Sequence, residues 1–222
     1  MIKFRSDVLV KLVHHMGSDE TIARAARVST GSDRLNRGKI EGLIGYLMRE
    51  GHSSCFEHCA ATIRLNVPIF VHRQIMTHRT MSKNSESGRY TELKPEFYVP
   101  PTERPLVNAG KAAHPELVAG TDLQFDFMRH EHEIVYDIAW SSYQDMLRQG
   151  IAEEVARNVL PVGIYTSVYV TANLLGWFNF LKLRNGSNGH PQWEIADTAL
   201  QVEAVIADLY PIAYAAWKKN NG

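Results

Sequence analysis

The chain has 222 residues, 45% of them apolar and 22% charged, with 24 basic residues against 24 acidic ones. This excludes a disordered, collagen-like or rod-like chain, and the length suffices to bury the core of a single domain spanning residues 1–222. The balanced charge argues against a nucleic acid or an anionic membrane as partner, so any anion site must be local.

Residues 8–13 (VLVKLV) read as a strand. The opening segment has neither a signal h-region nor a cleavage site. No apolar run reaches the roughly 18 residues that cross a bilayer, so the expected location is the cytoplasm. Ser18, Asp19 and Glu20 cap a helix running to about Ser29. Ile40, Leu43, Ile44, Leu47 and Met48 recur at helical spacing, and Gly51 closes that helix. Cys55 and Cys59 lack a disulfide framework or a zinc-ribbon spacing and read as reduced structural thiols. Residues 59–66 alternate as a strand does, and Pro68 suits the first turn of a helix through IFVHRQIMTHR.

Residues 81–91 (MSKNSESGRYT) read as a polar loop, LKPEFYVP as a short edge strand, and 100–121 as a long surface connection. Val135, Ile138, Ala139, Ser142, Tyr143 and Met146 mark the apolar face of a helix ending near Gly150. A short helix in EEVARNVL stops before Pro161, YTSVYVTA is strand-like, and NLLGWFNFLKLR is helical. The last helix starts near Gln192, with Val202, Val205, Ile206 and Leu209 on its apolar face, and Pro211 bends or breaks it. The order predicts an α+β fold, helices around a mixed or antiparallel sheet.

The densest polar cluster is HRQIMTHRTMSKNSESGRY at 72–90. On a helix after Pro68, Gln74 and His78 share one side. The loop beyond adds Ser85, Ser87, Gly88 and backbone amides that suit an anion nest, and Arg89 suits a phosphate. A phosphorylated small molecule is the ligand this implies; the alternative is a solvated loop with no ligand. In NLLGWFNFLKLR, Asn179 and Arg184 stand five apart; the alternative there is an amphipathic helix facing water. Histidine pairs at 14–15, 52/58 and 130/132 match no zinc pattern, so no metal is expected. Motifs for a nucleophilic serine, a dinucleotide fold or a P-loop are absent, and Glu57 near Cys55 opposes a thiolate.

THRTMSKNSESGRY closely resembles the signature of the flavin-dependent thymidylate synthases, the ThyX family. His78, Arg79, Ser82, Asn84, Ser87, Gly88, Arg89 and Tyr90 fit it in register. AARVS, GHSSCFEH, VPIFVHRQ, EFYVP, ARNVLP, NFLKLR and PQWEI follow in family order, so the resemblance covers most of the chain.

The resemblance implies a homotetramer of mixed α/β fold whose active sites are shared between subunits. It implies FAD as cofactor, and dUMP, methylenetetrahydrofolate and NADPH as substrates, with reductive methylation of uracil C5 to give dTMP. It assigns catalysis to Arg184, which favours ionisation at N3, and to Ser87, which positions and activates the substrate. Gln74, Ser85, Glu86, Ser87, Gly88, Arg89, Arg157 and Arg184 match dUMP contacts. Ser54, Thr77, His78, Arg79, Ser85, Asn173, Leu175 and Asn179 fall at FAD positions, with Ser29 a further candidate. His52 lies where the folate approaches the flavin.

Three residues depart from the family pattern. Thr77 replaces the first arginine of an Arg-His-Arg triplet, Leu175 replaces an arginine, and Ser85 replaces a glutamate. These departures leave two alternatives open: a folate-dependent pyrimidine hydroxymethylase, and a nucleotide-binding relative without turnover.

Overall fold

A computed structural model describes residues 1–31, 37–111, 116–186 and 190–221. The strands are β1 (Lys3–Arg5), β2 (Leu9–Met16), β3 (Ala60–Pro68), β4 (Ser82–Ser85), β5 (Glu96–Tyr98), β6 (Val107–Asn108), β7 (Leu117–Val118) and β8 (Tyr165–Asn173). The helices are α1 (Asp19–Arg27), α2 (Ile40–Arg49), α3 (Ile69–Met76), α4 (Asp122–Arg148), α5 (Glu153–Ala156), α6 (Leu174–Arg184), α7 (Trp193–Leu209) and α8 (Pro211–Asn221). This is the expected mixed fold, and it divides into two compact units. The first comprises Met1–Asp7, Val67–His72 and Glu86–Thr166; the second comprises Val8–Asn66, Arg73–Ser85 and Ser167–Gly222.

In the first unit β1 runs parallel to β5, Lys3 opposite Glu96 and Arg5 opposite Tyr98. Phe97, Val99, Tyr136 and Ile164 form its core, with Phe4, Ile69 and Trp140 against them. The Phe97 and Tyr136 rings stack at 4.7 Å. The Tyr136 hydroxyl donates to Tyr98 O at 2.9 Å. A Cβ at position 163 would lie 2.2 Å from that hydroxyl, so Gly163 is required for the ring to enter the core.

α4 buries a face shifted from the one expected. Tyr143 points inward as the spacing predicts, and Ala139, Ser142 and Met146 are half-buried, but Tyr136 takes the core position while Val135 and Ile138 are 51% and 63% exposed. The aromatic residues win the core because they remove more apolar area from water. The helix starts at Asp122, where Thr121 Oγ1 accepts from Gln124 N at 3.3 Å. The expected connection over 100–121 contains the short hairpin β6–β7, Val107 opposite Val118. Its residues 112–115 lie outside the described residues, as do 187–189 in the stretch after Arg184.

The second unit is built on a four-stranded sheet in the order β2-β3-β8-β4. β2 and β3 are antiparallel from Leu9↔Asn66 to Met16↔Ala60. Alternation along β3 buries Ala61, Ile63 and Leu65. Trp177, Phe178, Phe180 and Leu181 of α6 are buried with Ile195, Ala199, Val202 and Ile206 of α7. Each large side chain removed from water contributes about 1.5–3 kcal/mol. The Trp177 indole N–H donates to Ala61 O at 3.1 Å, fixing α6 on β3.

Pro211 separates α7 from α8, as expected. The Asp19 carboxylate accepts from the N–H groups of Ile212 (3.0 Å) and Ala213 (2.9 Å) and caps α8. Gly17 has φ +83°, and a Cβ there would come within 2.7 Å of Cys59 Sγ. Burial, with Asp19 nearby, pushes the Cys59 thiol up to about 11, so it stays protonated. Among the described residues no helix is long and apolar enough to cross a membrane.

Candidate active site

α3 ends at Met76, earlier than the spacing predicts. Thr77 N donates to Gln74 O (3.3 Å) and His78 N to Ile75 O (3.2 Å), a tightened last turn. The Thr77 hydroxyl also donates to Gln74 O at 2.7 Å, competing with helix continuation. His78 is therefore not on the helix with Gln74. The two residues meet instead through Arg184, the last residue of α6.

The Arg184 guanidinium is held by three neutral acceptors. Nε donates to His78 Nε2 (3.2 Å), Nη1 to Gln74 Oε1 (3.4 Å) and Nη2 to Thr77 Oγ1 (3.3 Å). These long bonds contribute about 1 kcal/mol each at most; their effect is orientation. Among the described residues no carboxylate pairs with Arg184, so its charge stays available to an anion. Thr77, in the place of an arginine, turns that position from a cation into an acceptor for Arg184.

His78 is only 9% exposed, its ring edge-on to Phe180 at 5.0 Å. Burial first, then the charges of Arg184 and Lys83, push its imidazole from 6.5 down to about 4. Accepting from Arg184 at Nε2 requires the neutral ring with its proton on Nδ1. Gln74 is itself oriented by a hydrogen bond from its Nε2 to Gln192 Oε1.

The expected loop over 81–91 is in part a strand. Ser82–Ser85 forms β4, antiparallel to β8, with Lys83 opposite Val170 and Ser85 opposite Val168. Polar residues suffice because the partner strand satisfies the backbone and one face meets water. Ser85 is half-buried, and Arg79 is exposed.

The other positions named for FAD also lie in the second unit. The Asn173 side chain caps α6, accepting from Gly176 N at 2.8 Å, and its amide donates to Glu57 at 3.4 Å. Leu175 and Asn179 line a cavity of about 200 Å³ with Phe56, Phe178, Trp217 and Lys182. Asn179 is exposed, as the amphipathic alternative predicts. Ser54 lies exposed in a short 3-10 turn, Ser53–His58. The exposed His52 ring stands edge-on to Tyr46 at 5.9 Å. Ser29 donates to Ala26 O at 2.9 Å.

Glu86, Ser87, Gly88, Arg89 and Arg157 belong to the first unit. Ser87 opens a turn in which its Oγ accepts from Arg89 N at 3.4 Å and its carbonyl from Tyr90 N at 3.4 Å. A Cβ on Gly88 would press on Leu93 at 3.0–3.1 Å, so glycine serves close approach there. Arg89 is already engaged: its Nε and Nη2 each lie 2.8 Å from Glu154 Oε2, with both side chains about half exposed. Arg157 follows α5 directly and is half-buried. Among the described residues no three His, Cys, Asp or Glu side chains converge as metal ligands do.

Lys83, Glu154 and Gln192 escape the sequence reading. Glu154 stands one helical turn before Arg157, the only local hint for it. Lys83 and Gln192 are brought in by strand pairing and by the start of α7.

The family described as "Thymidylate synthase complementing protein" matches residues 11–212. The flavin-dependent thymidylate synthase of Streptomyces avermitilis is 44% identical, over 98% of this chain and 93% of its own. The crystal structure of a UMP/dUMP methylase, PolB from Streptomyces cacaoi, bound with 5-Br UMP superposes with a TM-score of 0.93. It is 39% identical and covers 99% of this chain and 97% of its own. The same protein bound with 5-Br dUMP gives a TM-score of 0.92 at 41% identity, over 98% and 97% of the two chains. With the family model matching residues 11–212 and the likeness to its relatives running almost end to end, the chain belongs to the flavin-dependent thymidylate synthase family.

Proposed function

We propose that this protein methylates dUMP reductively at uracil C5, giving dTMP, with methylenetetrahydrofolate as carbon donor and NADPH as reductant of a bound FAD. The observation that carries the reading is the Arg184 guanidinium, oriented by His78, Gln74 and Thr77 and with no carboxylate partner among the described residues. A fixed cation of this kind stabilises negative charge developing on a uracil ring as N3 ionises. Ser87 accepts from a backbone N–H, which leaves its hydroxyl proton to donate to the nucleotide. Arg89 and Arg157 are the phosphate ligands, with Gln74, Ser85, Glu86 and Gly88 completing the nucleotide contacts. Arg89 exchanges Glu154 for phosphate; an exposed pair is worth under about 1 kcal/mol, so the exchange costs little.

FAD, when bound, supplies the hydride that completes the methyl group. The donor set fits such a ligand. Arg79 offers an exposed cation, Ser54 and Asn179 offer exposed hydrogen-bonding groups, and Leu175 adds an apolar wall beside the 200 Å³ cavity. His78, Thr77, Ser85 and Asn173 complete the assigned set, and His52 faces the folate. The neutral Cys59 thiol suits a reaction in which no cysteine attacks the base.

The working state is a cytoplasmic homotetramer of one domain each, with active sites shared between subunits. Both compact units are interleaved in sequence, which favours one functional domain. An exposed apolar stripe on α4 supports self-association: Leu123, Phe127, Ile134 and Ile138 are 79%, 64%, 40% and 63% exposed. A two-fold axis between His130 and Glu131 sets Leu123 against Ile138, Phe127 against Ile134, and His130 against Glu131 of a second copy.

A second reading extends the substrate to UMP, because the superposing PolB structures are those of a UMP/dUMP methylase. Parallel incubations with dUMP and UMP, each with methylenetetrahydrofolate, FAD and NADPH, test both by product mass. A product one methyl heavier from dUMP is expected. A product carrying an added oxygen indicates hydroxymethylation, and no product with all four ligands present overturns the enzymatic reading.

A further inference from the structure

α3 ends without the glycine that usually closes a helix, and among the described residues none other than glycine has a positive φ. The carbonyl of Met76, at the helix end, and that of His78, in the turn beyond it, must find donors outside the helix. They find one in Lys83. Its ammonium donates to His78 O and lies 3.5 Å from Met76 O. The cation reaches them because β4 pairs with β8. Alternation along the strand exposes Ser82 and Asn84 and turns Lys83 and Ser85 inward.

We propose that Lys83 is a positioning residue for the reaction: its ammonium ties down the turn after α3 so that His78, Thr77 and Gln74 meet the Arg184 guanidinium. The chain of contact is short. Lys83 fixes the His78 carbonyl, the His78 ring rests on Phe180, and its Nε2 accepts from Arg184 Nε. The charged groups facing His78 are Arg184 from α6 and Lys83 from β4. Lys83 thus acts twice, by holding the backbone of the turn and by disfavouring a protonated ring that could no longer accept from Arg184. Burial works against the Lys83 charge itself, a cost that two carbonyl acceptors offset. The inference rests on the proposed role of Arg184.

Steady-state kinetics over a pH series for Lys83→Met and Lys83→Arg tests it. In Lys83→Met we expect kcat with dUMP to fall about tenfold with little change in KM, because alignment matters most as charge develops. The acid limb of the profile should move toward neutrality, and Lys83→Arg should restore both. Unchanged kcat and acid limb in Lys83→Met, or an arginine variant no better than the methionine one, overturns the proposal. Nitrogen NMR of the unmodified protein supplies a measurement independent of folding defects in the variants and of substrate. It should show the His78 proton on Nδ1 and a titration well below the ordinary histidine range. The other tautomer, or an ordinary titration, overturns the proposal even where dUMP is turned over; absence of turnover alone bears on the functional reading instead.

Discussion

Arg184 Nε points at His78 Nε2 across 3.2 Å, a cation donating to an imidazole. The arrangement survives only while the imidazole is neutral, and the buried site, with its neighbouring charges, keeps it so. Arg184→Ala removes the donor that three side chains converge on. Turnover of dUMP should fall by roughly 10²–10³, the usual cost of losing a donor aimed at developing charge, with little change in melting temperature. Arg184→Lys should recover only part of it, because a point charge cannot engage three acceptors as a planar fork does. Single-turnover kinetics on both variants checks this.

His78 also makes stability depend on pH. Its folded value of about 4 lies below the unfolded 6.5. Between these the unfolded chain binds more protons, so acid favours unfolding. The stability due to a neutral His78 is fully present above pH 6.5 and is lost as pH falls toward 4, about 3 kcal/mol in all. Urea midpoints measured across that window should fall with acid, and the slope should be shallower in His78→Gln.

Glu154 occupies Arg89 in the free protein. Glu154→Gln removes the charge that competes with a phosphate. Nucleotide affinity should rise by up to about fivefold, the equivalent of an exposed pair worth under 1 kcal/mol. Calorimetric titration with dUMP checks the direction; weaker binding would mean that Glu154 positions Arg89 for its ligand.

The α4 stripe predicts how copies associate. Phe127→Asp with Ile134→Asp places like charges at the centre of the two-fold contact. Light scattering should show a smaller assembly, while circular dichroism keeps the helix content, since neither side chain belongs to the buried face through Tyr136 and Tyr143.

The family is legible in the sequence: the signature in the polar run from Gln74 to Tyr90, with further blocks in order along the chain, identifies it. Arg184 is singled out only by that resemblance, because on its own an arginine at a helix end reads as facing water. Helix boundaries at Ser18, Gly51 and Pro211 are equally local, because capping and φ restrictions act within a few residues. The α4 face is legible only in part: Tyr143 is on it, but Val135 and Ile138 keep helical spacing as well as Tyr136 does, and only the aromatic pocket around Phe97 brings Tyr136 into the core in their place.

The amino-acid sequence alone therefore determines the fold class, the principal helices and strands, and the family, since these follow from periodicity, capping and a distinctive signature. Only the tertiary structure decides that SKNS is a strand, because its backbone partner is more than eighty residues away in β8. The same long-range pairing sends Lys83 to the end of α3, and α6 delivers Arg184 to His78. Hydrogen bonds between residues about a hundred positions apart leave no periodic trace in the chain; they exist only once the sheet and α6 have brought those segments together.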